Sequence, residues 1–104
     1  MKFSVIVPAY NEEKTAGEML TRLIGLACID EIIFVDDGSS DSTLRQAHNV
    51  LDKDEKARNK LQIVSLPENS GKGHAVRKGI QRTTGDVVSV CDADTEYDPE
   101  EYGD

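Results

Sequence analysis

The sequence predicts an α/β domain, a parallel sheet with flanking helices, on two observations. Short strand-like runs alternate with helical patterns along the chain, an order that right-handed crossovers turn into a parallel sheet. The unusual polar residues then fall at the carboxyl ends of the strands, where open α/β sheets bind their ligands. They occupy residues 8–12, 36–41, 67–74 and 92–96, so four remote segments converge on one rim.

Each element follows from its residues. Phe3-Ser4-Val5-Ile6-Val7 is a mostly apolar, partly β-branched run that reads as a buried strand stopped by Pro8. Ala16, Met19, Leu20, Leu23 and Ala27 recur at helical spacing, with Asn11 as N-cap and Glu12 and Glu13 in the first turn. Glu31 to Val35 is a second strand, ending at Asp36-Asp37-Gly38. Ser40 or Asp41 caps a second helix whose apolar stripe is Leu44, Ala47 and Leu51. The polar run 52–60 reads as a helix end and surface loop, and Leu61 to Leu66 as a third strand closed by Pro67. Asn69-Ser70-Gly71 opens a third helix with Ala75, Val76, Gly79 and Ile80 facing inward. Thr84-Gly85 turns into the fourth strand, which delivers Asp92 and Asp94 to its end.

Length and charge set bounds. A chain of 104 residues is one domain at most, with a modest core. A net charge of −8 argues against a nucleic-acid partner, since that contact needs a basic stripe. Cys28 and Cys91 have no metal-ligand spacing and read as buried, reduced thiols. With no secretory signal and no stretch approaching a membrane span, the expected setting is cytoplasmic, or the cytosolic face of a membrane.

The chemistry concentrates at the rim. Asp92-Ala93-Asp94 is a carboxylate pair around one small residue, and a bend at Ala93 lets both acids approach one divalent cation. Hard oxygen ligands suit Mg²⁺ or Mn²⁺, which leave positions open for phosphate oxygens; the bland alternative is that the acids cap a helix. Tyr10 can cover a nucleobase or ribose, or simply lid the core. In Asp36-Asp37-Gly38-Ser39 one carboxylate can accept from a base or a ribose, while the other holds the turn as an Asx-turn does. Gly71-Lys72-Gly73-His74 opens a helix whose N-terminus favours anions, and Lys72 supplies a charge for a diphosphate or is a solvated surface charge.

Val5-Ile6-Val7-Pro8-Ala9-Tyr10-Asn11-Glu12-Glu13, Val35-Asp36-Asp37-Gly38-Ser39-Ser40-Asp41, Asn69-Ser70-Gly71-Lys72-Gly73, Thr84-Gly85-Asp86 and Asp92-Ala93-Asp94 stand in one order. In that combination the chain resembles the nucleotide-binding half of a family-2 glycosyltransferase of the Rossmann-like GT-A fold. Residues 94–102 and 71–77 are similar to polyprenyl-phosphate sugar transferases such as the dolichol-phosphate mannosyl- and glucosyltransferases. The resemblance implies inverting transfer from a GDP- or UDP-sugar to a polyprenyl phosphate or a saccharide. It implies a nucleoside pocket of Pro8, Ala9, Tyr10 and Glu12, a base contact from Asp37 beside Val35, and nucleotide contacts from Lys72 and Gly73. The substrate diphosphate and a Mg²⁺ or Mn²⁺ ion would be held by Asp92, Ala93 and Asp94, with Glu96 as a further metal contact.

Relatives continue past the metal motif, so residues 1–104 are expected to be a partial, donor-binding domain, truncated before the acceptor half. No catalytic base can be assigned; Asp98, Glu100 and Glu101 are the available carboxylates. A second copy or the missing half is expected to cover the sheet edge after the fourth strand. Three other readings share parts of the pattern. A nucleotidyltransferase wants a glycine-rich, arginine-containing loop after the first strand, which Pro8-Ala9-Tyr10-Asn11 is not. A flavodoxin-like or receiver-like domain would use Asp36-Asp37 but fits Asp92-Ala93-Asp94 poorly. A non-catalytic nucleotide-binding fragment is compatible with the same family.

Overall fold

In a computed structural model, which describes residues 1–92, the apolar runs become four parallel strands: β1 (Phe3–Ala9), β2 (Glu31–Asp36), β3 (Leu61–Ser65) and β4 (Val87–Val90). Their spatial order is β3-β2-β1-β4, so the chain reverses its direction of travel across the sheet beside β1. The helices are α1 (Ala16–Ile24), α2 (Thr43–Lys53), α3 (Glu55–Lys60) and α4 (Lys72–Ile80).

Alternation along the central strands builds two cores. Val5, Val7, Ile32 and Phe34 face the layer of α1, α2 and α3, packing with Leu20, Leu23, Ala47 and Ala57. Ile6, Ile33 and Val35 face α4 through Ala75. Gly79 lets α4 lie flat on the sheet, since a Cβ there would stand 2.6 Å from Ile6 Cγ2 and 3.3 Å from Val35 Cγ2.

Pro8 does not stop β1; it lies inside the strand and pairs in register with Val35. The ladder explains why this is tolerated. The carbonyl of Ala9 accepts from the Asp37 amide on the β2 side, whereas the carbonyl of Ile6 accepts from the Cys91 amide on the β4 side. Residue 8 therefore directs its missing N–H toward β4, two residues past the last paired position, Ile6↔Val90. The β1–β2 ladder is unharmed, and the next rung toward β4 cannot form.

The opposite, amino-terminal rim is tied by Glu31. Its carboxylate accepts from the Ser4 hydroxyl at 2.8 Å, the Thr84 amide at 2.9 Å and the Thr84 hydroxyl at 3.1 Å. Gly85 fits against Ser4, where a Cβ would meet Oγ at 2.1 Å, and the Asp86 carboxylate accepts from the Lys2 amide at 2.7 Å. Thr84-Gly85-Asp86 thus anchors β4 at the end of the sheet away from the polar rim.

Several expectations are corrected. Asn11 does not cap α1, which starts five residues later at Ala16 after a turn built on the Glu12 carbonyl. Residues 55–60 are a helix, because the Asp54 side chain accepts from the Lys56 amide at 2.9 Å and Ala57 is buried. Ala27 lies beyond the end of α1 and is exposed. Ile80 is 50% exposed, one position past the contact at Gly79. Cys28 is exposed in the turn after α1, whereas Cys91 is buried with its Sγ 3.7 Å from Met19 Sδ. The valines of β4 remain open, with Val87 42%, Val88 41% and Val90 38% exposed. Among the described residues no helix is long and apolar enough to cross a membrane.

Two outcomes follow from this packing. Gly79→Ala is expected to destabilise the fold by about 1–3 kcal/mol through overpacking against Ile6, read as a lower urea midpoint. Burial works to raise the Glu31 carboxyl, but hydrogen bonds from Thr84 and Ser4 and the charge of Lys2 hold it below its ordinary value of 4.5. Its contribution is therefore present above about pH 4.5 and lost as pH falls through the depressed folded value. Urea titrations of wild type and Glu31→Gln should differ most near neutral pH and converge as the pH falls below the ordinary carboxyl value and through the depressed one; a constant gap would refute the assignment.

Candidate functional site at the carboxyl edge of the sheet

The loops after β1 and β2 are fastened to each other by side chains of both. Asn11 adopts a left-handed backbone, φ 52°, which asparagine tolerates better than most residues. From there its amide donates to Ser39 Oγ at 2.9 Å, and its Oδ1 accepts from the Ser40 amide at 2.9 Å. The Glu12 amide donates to Thr43 Oγ1 at 2.8 Å. Glu13 reaches across to α2, its carboxylate accepting from the Ser42 amide at 3.1 Å and hydroxyl at 2.6 Å. Asp41 accepts from the Thr43 amide at 2.9 Å, from the Thr43 hydroxyl, and from the Glu13 amide at 3.3 Å. Burial works to raise the Asp41 carboxyl, but these bonds hold it below its ordinary value. The segments 10–13 and 39–43 thus form one hydrogen-bonded unit.

The loop after β3 is fastened to the end of β2 by Asp37. Its Oδ1 accepts from the Ser70 amide at 3.0 Å and its Oδ2 from the Gly71 amide at 2.9 Å. Gly38, at φ 70°, admits the loop's backbone, because a Cβ there would lie 2.4 Å from the Glu68 carbonyl carbon. Gly71, at φ 99°, then starts α4. Its carbonyl accepts from the Ala75 amide at 3.1 Å, and the amides of the first helical turn have no acceptor within the helix. Asp36 is 3% exposed on the other face of the sheet, and its Oδ1 has no hydrogen-bond partner among the described residues.

These fixed loops surround a cleft of about 380 Å³. Pro8 and Ala9 line it from the end of β1, Tyr10 and Glu12 from the loop that follows, Asp37 from just past β2, Asn69 and Gly71 from the β3–α4 loop, Lys72 and Ala75 from α4, and Asp92 from just past β4. Tyr10, one of the lining residues, is 45% exposed. Lys72 Nζ lies 2.7 Å from Asp92 Oδ1 and 2.8 Å from Oδ2, joining the start of α4 to the end of β4. Seven sequence-predicted residues therefore meet in one cleft: Pro8, Ala9, Tyr10, Glu12, Asp37, Lys72 and Asp92. Val35 is not among the lining residues; it is fully buried in the core beneath α4. Gly73 is exposed on α4 outside the lining. Ala93, Asp94 and Glu96 lie outside the described residues. Asn69, Gly71 and Ala75 were not named as site residues, although Asn69 and Gly71 belong to the rim segment 67–74.

An open parallel sheet with a polar cleft at its switch point is the architecture of nucleotide-binding α/β proteins. The model of the family "Glycosyl transferase family 2" matches residues 4–104, and the chain belongs to that family. It is similar to a mannosyltransferase from Pyrobaculum calidifontis solved with GDP-Man and Mn²⁺, at 29% identity and a TM-score of 0.82 over 89% of this chain and 27% of that one. TarS from S. aureus gives 37% identity and a TM-score of 0.72 over 90% of this chain and 17% of that one. Glucosyl-3-phosphoglycerate synthase from Mycobacterium tuberculosis, solved with Mn²⁺, UDP and glucosyl-3-phosphoglycerate, gives 30% and 0.76 over 94% and 36%. The chain thus spans between 17% and 36% of the length of these relatives. Family membership sets aside the nucleotidyltransferase and receiver-like readings.

Asp37 is the cleft's main internal fastening. Asp37→Ala leaves two backbone amides without their acceptor and is expected to cost about 2–4 kcal/mol. Hydrogen exchange should accelerate at Ser70 and Gly71 before it does in β2; uniform acceleration would show that the carboxylate supports the whole fold rather than this loop.

Proposed function

We propose that this chain is the donor-binding part of a glycosyltransferase, taking a GDP- or UDP-sugar in the cleft between β1 and β4. The observation that carries the reading is the meeting of Tyr10, Glu12, the start of α4, Lys72 and Asp92 around one cleft at the sheet's switch point. Mn²⁺ and GDP-Man in the Pyrobaculum calidifontis enzyme, and Mn²⁺ and UDP in the Mycobacterium tuberculosis enzyme, support the same class of ligand.

Each residue then has a physical task. Tyr10 covers the base or ribose with its exposed ring, and Pro8 and Ala9 form the floor. Asp37 spends an acceptor from each oxygen on Ser70 and Gly71, so a base contact uses its remaining lone pairs. The first amides of α4 and the ammonium of Lys72 offer donors to the diphosphate. Asp92 fits a divalent cation: it is a hard oxygen donor at the cleft rim, and both oxygens already hold a cationic group. Among the described residues no cluster of three ligands occurs, and Asp94 and Glu96 are the proposed additional ligands. Mg²⁺ or Mn²⁺ there would neutralise charge on the departing diphosphate. The proposed transfer is inverting, the acceptor oxygen attacking the anomeric carbon opposite the diphosphate, with a polyprenyl phosphate or a saccharide as acceptor.

Calorimetric titration with UDP and GDP, each with and without Mn²⁺, tests the reading. One nucleotide should bind in a Mn²⁺-dependent manner, and Asp92→Asn should weaken that binding at least about tenfold. A folded chain that takes up neither nucleotide in the presence of Mn²⁺ would sink it.

A further inference from the structure

Lys72 and Asp92 face each other across the mouth of the cleft, and the ammonium touches both carboxylate oxygens at 2.7 and 2.8 Å. Lys72 is the first residue of α4, and Asp92 follows β4, so the pair spans the gap between two elements joined by no ladder. The side chains are 60% and 35% exposed, respectively. An exposed ion pair of this kind is weak and readily exchanged, yet a divalent cation approaching Asp92 meets a like charge already held against both oxygens. Lys72 also lines the cleft beside Gly71 and Ala75, so its flexible four-carbon stem can carry the same charge to an anion there.

We infer that Lys72 is an exchangeable counter-cation that makes metal and diphosphate binding depend on each other. This inference rests on the reading of Asp92 as a cation ligand. With Lys72 on Asp92, a divalent ion arriving alone competes with a tethered like charge. A nucleoside diphosphate draws the ammonium to its own oxygens and releases Asp92 to the ion. By linkage, the ion raises affinity for the diphosphate by the factor the diphosphate raises affinity for the ion. Lys72 is thereby a positioning and ordering residue, favouring a loaded donor over either component alone.

The test is Mn²⁺ binding by electron paramagnetic resonance, with and without saturating UDP or GDP, for the 104-residue chain and its Lys72→Met variant. The substitution removes an exposed side chain, and circular dichroism checks that the fold is kept. In the variant, Mn²⁺ alone should bind about two- to fivefold more tightly than in wild type. The nucleotide alone should bind more weakly, and the ratio of Mn²⁺ affinities with and without nucleotide should fall by about fivefold. A lysine that acts only as background charge would change both Mn²⁺ affinities equally; an unchanged ratio overturns the inference while leaving the metal site intact. Failure of wild type to bind Mn²⁺ with either nucleotide overturns the metal site itself, and the exchange with it.

Discussion

The cleft exists because β1 can pair along its whole length on one side and only part of its length on the other. Pro8 is responsible. A central strand in a parallel sheet alternates its donors between two neighbours, and the proline stands at a position that addresses β4. Pairing with β2 continues to Asp36, whereas pairing with β4 ends at Val90. Beyond that point the two strands are free to part, and Tyr10 and Asp92 leave them on opposite banks of the gap. A residue usually excluded from sheet interiors here sets where the sheet ends and the cleft begins.

The rest of the rim depends on loops that hold one another. Asn11 is bound by Ser39 and Ser40, Glu13 by Ser42, and Asp37 by Ser70 and Gly71. Each fastening joins loops from different strands, so the polar segments occur together for a mechanical reason as well as a chemical one. A long-reach side chain such as Lys72 gains from this, because the helix that carries it is anchored at its first turn by the Asp37 clamp. The geometry at the Lys72–Asp92 end of the cleft is therefore set partly by a carboxylate at the end of the neighbouring strand.

Much of this was legible in the sequence, for reasons that differ between residues. The strands announced themselves because Val5, Ile6, Ile32, Ile33 and Phe34 are buried on both faces and need apolar side chains at every position. The rim was legible because polar residues directly after such strands have few other places to go. What could not be read was the direction of individual side chains. Asn11 and Asp54 are equally good caps by type, but only Asp54 caps the helix that follows it; Asn11 is claimed by a loop 28 residues away. Asp37 looked available to a ligand, yet its two oxygens are engaged by amides of a loop whose path depends on Gly38. Ala27 and Ile80 satisfied helical spacing, which says which face a residue shares and nothing of where the helix stops or how closely it approaches the sheet.

The position of β1 at the middle of the sheet also has a consequence in time. One edge of this strand meets its partner after a separation of 27 residues, as at Ser4 and Glu31. The other edge waits for a segment 84 residues away, as at Lys2 and Asp86. Until that segment is available, Ser4, Val5 and Ile6 present an apolar strand with one side unsatisfied, the kind of edge that recruits other chains. Closing so long a loop is slow compared with forming the helices around it. During synthesis or refolding, the half of the sheet that will later bound the cleft is its most exposed part. For β1, the hazard of self-association belongs to the interval before β4 arrives.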